Sequence, residues 1–264
     1  MITIRSTDEL SRLERASRVV LETLEVLEKA VEPGVTTEEL DRIAAEEIRK
    51  RGAKAAFLNY RGFPKTICTS VNDEVVHGIP GKRSLKEGDI VGIDCGAVVE
   101  GYYGDAARTL PVGRIDPVRA RLLEVTRDAL HAGIAAAQPG GRVSDIGAAV
   151  ESLALLHGYG VVREFVGHGV GTALHEEPQV PNYGPPGRGS TLRPGIVIAI
   201  EPMFNLGTGQ VSVDRDGWTV RTGDRSPSAH FEYTIAIGVD GPVILGLGRL
   251  QPGTAAREAA AVPA

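Results

Sequence analysis

The sequence predicts a single α/β domain made of two related halves. Three observations carry that prediction. Two long segments of helical apolar spacing each run to a Pro-Gly stop and a second helix, and the punctuation Pro33-Gly34 and Gly52 returns 106 residues later as Pro139-Gly140 and Gly158. The strand approach Leu85-Lys-Glu-Gly-Asp-Ile-Val-Gly-Ile-Asp94 returns at an offset of 107 as Leu192-Arg-Pro-Gly-Ile-Val-Ile-Ala-Ile-Glu201. Finally, the apolar runs between the helical segments are short and bounded by turn residues, as strands are. A nearly constant offset through several elements marks an internal repeat, with halves at about 7–113 and 115–250 and Asp94 aligned with Glu201. Paired halves, each offering a carboxylate at a strand end, place a site between them.

The elements follow in order. Ser6-Thr7-Asp8-Glu9 starts a helix whose Leu10, Leu13, Ala16, Val20, Leu24 and Leu27 share one face, up to about Ala30. Thr36-Thr37-Glu38-Glu39 caps a second helix, with Leu40, Ile43, Ala44 and Ile48 inward and a close at Arg51-Gly52. Short strands and loops lead to Pro80. The run Ile90-Val91-Gly92-Ile93 is a strand, and Glu100-Gly101 signals the turn of a hairpin that ends before Pro111-Val112-Gly113. From Asp116 a long helix runs through about Ala137, followed by a helix capped from Ser144-Asp145 that stops near His157-Gly158. Residues 251–264 are low in complexity and are expected to be disordered, leaving 1–250 as the domain.

Composition excludes several classes. At 264 residues, 42% hydrophobic and 24% charged, the chain is neither disordered nor membranous, and no apolar run approaches the ~18 residues of a spanning helix. The opening Met-Ile-Thr-Ile-Arg-Ser has no apolar signal core, so a cytoplasmic location is the default expectation. Cys68 and Cys95 form neither a disulfide framework nor a CxxC motif, which suits a reducing compartment and leaves a single disulfide open. A net charge of -5 argues against a nucleic-acid surface. Gly81-Lys82 is no phosphate loop, since no glycine stands five residues before Gly81.

The hairpin holds the first chemistry. With a Val99-Glu100 turn Asp94 lies opposite Asp105; with Glu100-Gly101, the better turn chemistry, the two are diagonal neighbours on one face. A three-residue loop would separate them, and an exposed acidic hairpin is the plain alternative. Two close carboxylates repel unless they share a proton, meet a cation or bind a metal ion. Further ligand-type side chains stand at His168 between glycines, at Glu201 after an apolar strand, and at Glu232, whose strand alternation turns His230, Glu232 and Thr234 to one side. His77 and His175 lie in Val75-Val-His77-Gly-Ile-Pro and His175-Glu-Glu-Pro. Two Asp, two Glu and one His make an oxygen-rich set suited to a pair of divalent ions such as Co, Mn, Fe or Zn rather than a thiolate site.

The order Asp94, Asp105, His168, Glu201, Glu232 and its surroundings resemble type I methionine aminopeptidases of the bacterial form without an N-terminal extension. The resemblance rests on Val71-Asn-Asp-Glu-Val-Val-His77-Gly-Ile-Pro, Ile93-Asp94, Gly104-Asp105, Gly167-His168-Gly-Val-Gly, His175-Glu-Glu-Pro-Gln-Val, Ile200-Glu201-Pro-Met, Asp216-Gly-Trp218-Thr and Ser228-Ala-His-Phe-Glu232-Tyr-Thr-Ile. It implies the pita-bread fold, an antiparallel sheet with pseudo-twofold halves covered by helices. It implies that Asp105 and Glu232 bridge two metal ions, that Asp94 chelates one, and that His168 and Glu201 complete the other. Water held by the ions would attack the first peptide bond, with Glu201 as proton shuttle, His175 on the scissile amide and His77 toward the leaving side. The product would be a chain freed of its N-terminal methionine where the second residue is small.

The same resemblance lines a methionine pocket with Tyr60, Phe63, Cys68, Leu174 and Trp218, with Phe57 at its rim. Phe57, Phe63 and Leu174 depart from the residues common in the family. Its partners would be nascent polypeptide N-termini, at the ribosome or after release, with no specific nucleic acid and no membrane; no obvious interface segment interrupts the chain, so a monomer is expected. A prolidase or X-Pro aminopeptidase on the same fold would carry a further N-terminal domain, whereas the stretch before Asp94 is used by the first repeat. A type II enzyme would need a helical insertion between Glu201 and Glu232, and a non-catalytic relative would lack ligands that this chain has.

Overall fold

The computed structural model describes residues 1–249; the tail 251–264, expected to be disordered, lies outside the described residues. Helix α1 spans Thr7–Ala30 and starts with a reciprocal cap: the Ser6 hydroxyl accepts from the Glu9 N–H, and the Glu9 carboxylate accepts from the Ser6 N–H at 2.9 Å. Leu13, Ala16, Val20, Leu24 and Leu27 are buried along it as the spacing predicts, with Leu10 half-buried. Helix α2 (Thr37–Lys50) is capped by the Thr36 hydroxyl, which accepts from the Glu39 N–H at 3.2 Å. Helix α3 (Pro117–Ala136) has Asp116 as its cap, accepting from the Arg119 N–H at 2.8 Å. Helix α4 (Val143–His157) begins ahead of the expected Ser144-Asp145 cap. Here Asp145 lies inside the first turn and reaches back to the Arg142 N–H at 2.7 Å, so its acceptor role is right and its position in the helix is not.

The repeat is visible in the backbone. Gly52 and Gly158 both take φ +71°, a left-handed helix stop that suits glycine. The Gly34 N–H donates to the Leu85 carbonyl at 2.8 Å, and the Gly140 N–H to the Leu192 carbonyl at 2.7 Å, so each second helix is tied at the same point to the strand approach of its own half.

One antiparallel sheet runs through both halves, in the order Lys54–Ala55, Ile90–Val99, Tyr102–Pro111, Glu232–Gly238, Val197–Ile200, Gly167–Gly169, Glu176–Val180. The strand Ile67–Val71 also pairs with Ile90–Val99. At the centre of the sheet Glu232 lies opposite Ala107 and Tyr233 opposite Ala106, which joins the halves. Because side chains alternate along a strand, Ile93, Cys95, Ala97 and Ala106 face the helices and are buried, while Asp94 and Asp105 face the other way. Cys95 is thus part of the helix-side core and Cys68 belongs to the opposite face; both are free thiols, which closes the disulfide question.

Helix α1 lies directly on the hairpin. A Cβ at Gly104 would stand 2.5 Å from the Ser17 amide nitrogen. Gly104→Ala is therefore expected to lower stability by about 1–3 kcal/mol, through forced separation of helix and sheet. Thermal unfolding reads this directly, and an unchanged melting point would mean that α1 can lift off the hairpin without cost. Among the described residues no helix is long and apolar enough to cross a membrane.

Candidate metal centre and substrate pocket

The hairpin turn is Glu100-Gly101, with φ +50° and +82°, and Val99 pairs with Tyr102. This is the register with the better turn chemistry. Asp94 pairs with Ala107 and Asp105 with Gly96, so the two carboxylates are diagonal neighbours on the face away from the helices. Asp105 is held from behind: its N–H donates to the Thr234 hydroxyl at 3.2 Å, and that hydroxyl donates to the Asp105 carbonyl at 2.7 Å. Glu232 reaches the same face from opposite Ala107. Glu201 follows the Val197–Ile200 strand, its carbonyl fixed by the Asn182 amide at 3.0 Å.

His168 sits in the Gly167–Gly169 strand. A Cβ at Gly167 would meet the Ala199 carbonyl at 2.3 Å, and one at Gly169 the Glu177 carbonyl at the same distance. The flanking glycines therefore admit the two neighbouring strands. His168 Nδ1 donates to the Gly169 carbonyl at 2.9 Å, which leaves the Nε2 lone pair facing the carboxylates. Nε2 lies 3.6 Å from Glu201 Oε1 and 3.9 Å from Asp105 Oδ2. One donor atom each from Asp105, His168 and Glu232 falls within 4.8 Å of the others.

The electrostatics ask for a cation. Burial, followed by the charges of Glu232 and Asp94, pushes Asp105 well above the usual carboxylate range. Glu201 rises through burial and then Asp105 and Asp94, Glu232 through burial and then Glu201 and Asp94, and Asp94 through burial. Burial holds His168 down at about 4. Asp94 Oδ1, Asp105 Oδ1 and Glu232 Oε1 are buried without a hydrogen-bond partner. Clustered carboxylates with orphaned oxygens and a neutral imidazole lone pair are the donor set a divalent ion requires, so the residues fit a metal centre.

His230 is the group that sequence reasoning passed over. Its Nε2 is buried without a hydrogen-bond partner, 3.7 Å from Glu201 Oε2 and 3.9 Å from Glu232 Oε2. Burial and then the charge of His77 hold it down at about 3. The signal was its place two residues before Glu232 on the same side of the alternation.

Beside the carboxylates lies an apolar hollow. Phe57, Phe63, Cys68 and Leu174 are buried in one cluster with Ala56, and Tyr60 and Trp218 edge it. All six side chains expected in the methionine pocket thus fall together, and Cys68 pairs directly with Asp94 across the strands. Phe57 is in the wall rather than at the rim: it is 7% exposed, and its ring fills the place of a Cβ on Gly96. Phe63 meets the Trp218 ring edge-on at 5.1 Å.

Two further imidazoles flank the hollow. His77 takes a left-handed φ of +61° and is set edge-on to Phe165 at 5.4 Å and to Trp218 at 6.4 Å. Burial and then His175 lower it to about 4. The His175 ring lies 4.1 Å from that of His168, and its Nδ1 is 2.9 Å from the Tyr60 hydroxyl.

Comparison with known proteins agrees with this geometry. Residues 11–238 match metallopeptidase family M24. The methionine aminopeptidase of Clostridium acetobutylicum is 50% identical over 248 residues, covering 94% of this chain and 99% of the relative. Methionine aminopeptidase 1 of Bacillus subtilis is 50% identical over 245 residues, covering 93% and 99%. The crystal structure of methionine aminopeptidase from Rickettsia prowazekii superposes with a TM-score of 0.92 at 43% identity, over 94% of this chain and all of the other. By motif, fold and likeness alike, the chain belongs to metallopeptidase family M24 and, within it, to the methionine aminopeptidases.

Proposed function

We propose that this metallo-aminopeptidase removes the N-terminal methionine from newly made proteins and peptides whose second residue is small. The observation that carries the reading is the convergence of Asp94, Asp105, His168, Glu201 and Glu232 beside an apolar hollow. These five side chains would hold two divalent ions from the series Co, Mn, Fe and Zn, with Asp105 and Glu232 as the carboxylates placed to serve both. Bound there, the ions supply Lewis-acid activation of water and of the scissile carbonyl. The protein's own groups do the rest. The hollow takes the methionine side chain against Phe63, Cys68, Leu174 and Trp218. The free amine lies on the Asp94 side, which confines cleavage to chain ends. Glu201 accepts the proton of the attacking water and passes it to the leaving amine.

His175 is at the open side, next to the reacting centre. With the Tyr60 hydroxyl donating to Nδ1, Nε2 keeps its proton and points a donor at the scissile amide, where negative charge develops. His175→Ala is expected to lower turnover by roughly 10²–10⁴-fold while metal affinity measured by calorimetry stays the same. Unchanged turnover would remove His175 from the chemical step. His77 stands on the leaving side, and its ring against Phe165 and Trp218 crowds the position after methionine. Peptides beginning Met-Ala and Met-Gly should therefore be cut well and Met-Lys poorly, with X-Pro peptides untouched. Indifference to the second residue would overturn the small-residue preference, and cleavage before proline would point to a prolidase.

A further inference from the structure

His175 stands on a short connection, residues 171–175, between the paired strands Gly167–Gly169 and Glu176–Val180, and Thr172, Ala173 and His175 are exposed. An imidazole aimed at a reacting amide needs a fixed backbone beneath it, because a misplacement of about 1 Å at a catalytic group can cost on the order of 100-fold in rate. The connection starts from the hairpin, where the Tyr103 N–H donates to the Gly171 carbonyl at 2.9 Å. Its other fixed point is a carboxylate. Glu176 Oε1 accepts from the Thr172 N–H at 2.8 Å and from the Ala173 N–H at 3.1 Å, which closes the connection into a turn around one oxygen.

The second oxygen of that carboxylate, Oε2, pairs with the Arg5 guanidinium. Arg5 comes from the stretch before α1 and is 8% exposed, a degree of burial that arginine accepts only when paired. Its backbone is anchored as well, since the Arg5 N–H donates to the Gly195 carbonyl at 2.8 Å. The guanidinium also meets Glu9, the residue that completes the α1 cap, at 3.4 Å. Glu9 in turn accepts from the Tyr102 hydroxyl at 3.3 Å. The guanidinium occupies the space that a Cβ on Gly171 would take, so the turn is moulded against Arg5. A planar guanidinium between two carboxylates fixes direction as well as distance, and this one ties the turn to the start of α1.

We propose that Arg5 is a positioning residue for His175: through Glu176 it fixes the 171–176 turn so that the imidazole is aimed at the scissile amide. The inference rests on the role of His175 given above. Leu174, one residue earlier, is held independently by its packing with Phe57, Phe63 and Cys68, so methionine binding does not depend on Arg5.

The test is steady-state kinetics of the metal-saturated full chain on a Met-Ala peptide, comparing Arg5→Met, His175→Ala and the double variant with the parent. Arg5→Met is expected to lower kcat roughly 10–100-fold, with KM and calorimetric metal affinity unchanged. In the His175→Ala background the same substitution should change kcat less than about twofold, because the group it positions is gone. Thermal melts set an assay temperature at which each variant is folded. If Arg5→Met does not fold, Glu176→Gln takes its place in the same cycle: its amide oxygen still accepts from the Thr172 and Ala173 N–H groups, while the charge that pairs with Arg5 is lost. Equal losses of kcat with and without His175, or a loss confined to KM or to metal affinity, overturn the proposal, because Arg5 would then support the fold or the pocket as a whole. Parent-like kcat in Arg5→Met does so as well. Unchanged turnover in His175→Ala alone would remove the catalytic role of His175 and with it this role of Arg5, so the two failures are told apart.

Discussion

Replacing Glu232 with Gln should lower turnover by roughly 10³-fold or more, abolish uptake of a second metal ion, and at the same time raise the melting point of the metal-free protein. The three effects have one source. Glu232 is buried, its Oε1 has no hydrogen-bond partner, and its charge raises Asp105. In the absence of a cation its charge is a liability, because burial and neighbouring carboxylates both oppose ionisation. Gln keeps the shape and removes the charge, so the metal-free fold gains; each kcal/mol gained raises the midpoint by roughly 2–4 °C in a domain of this size. A neutral amide is a poor ligand for a second cation, so the part of the metal-induced stabilisation that depends on the Glu232 charge disappears in the variant. Exhaustive chelation of the parent should likewise abolish activity, and added divalent ion restore it. Activity that survives chelation would sink the metal mechanism, and a metal-free variant less stable than the parent would show that Glu232 is held by contacts rather than strained by charge.

The parts of this site that could be read in the sequence are those set by local rules. The helix caps at Ser6, Thr36 and Asp116, the stops at Gly52 and Gly158, and the Glu100-Gly101 turn each depend on residues within a few positions, and the turn alone puts Asp94 and Asp105 on one face. The internal repeat extended this, since a duplicated backbone brings Asp94 and Glu201 to corresponding positions in the two halves of one sheet. What sequence could not supply depends on distant neighbours. The glycines around His168 answer to Ala199 and Glu177 on adjoining strands. Phe57 is drawn into the wall by Gly96, which no spacing rule connects to it. His230 counted as one more polar residue on an alternating strand until Glu201 and Glu232 were found on either side of its Nε2.

The pH dependence of stability follows from the same charges. In metal-free protein the folded-state values of Asp94, Asp105, Glu201 and Glu232 lie above those of the unfolded chain. The folded state then keeps protons that the unfolded state has released, and stability falls as pH rises above about 4. The imidazoles act in the opposite sense. His77 and His168 at about 4 and His230 at about 3 stay neutral when folded, while the unfolded chain protonates them below about 6.5, so their contribution grows as pH climbs from about 4 to 6.5. The two sets offset one another across that window. Above it the imidazoles are neutral in both states and only the carboxylates remain. Metal-free protein should therefore lose stability from pH 6.5 to 8.5, by ~1.4 kcal/mol per pH unit for each extra proton the folded state holds. Metal-loaded protein should show no such decline, because a bound cation takes the place of those protons, and Glu232→Gln should show a shallower one in the metal-free state. Melting points at pH 6.5, 7.5 and 8.5 with chelator and with Mn measure both. A metal-free midpoint that is flat or rises over this range would mean that the carboxylates ionise freely in the folded chain, and with that the electrostatic case for a metal centre built on their repulsion would fail.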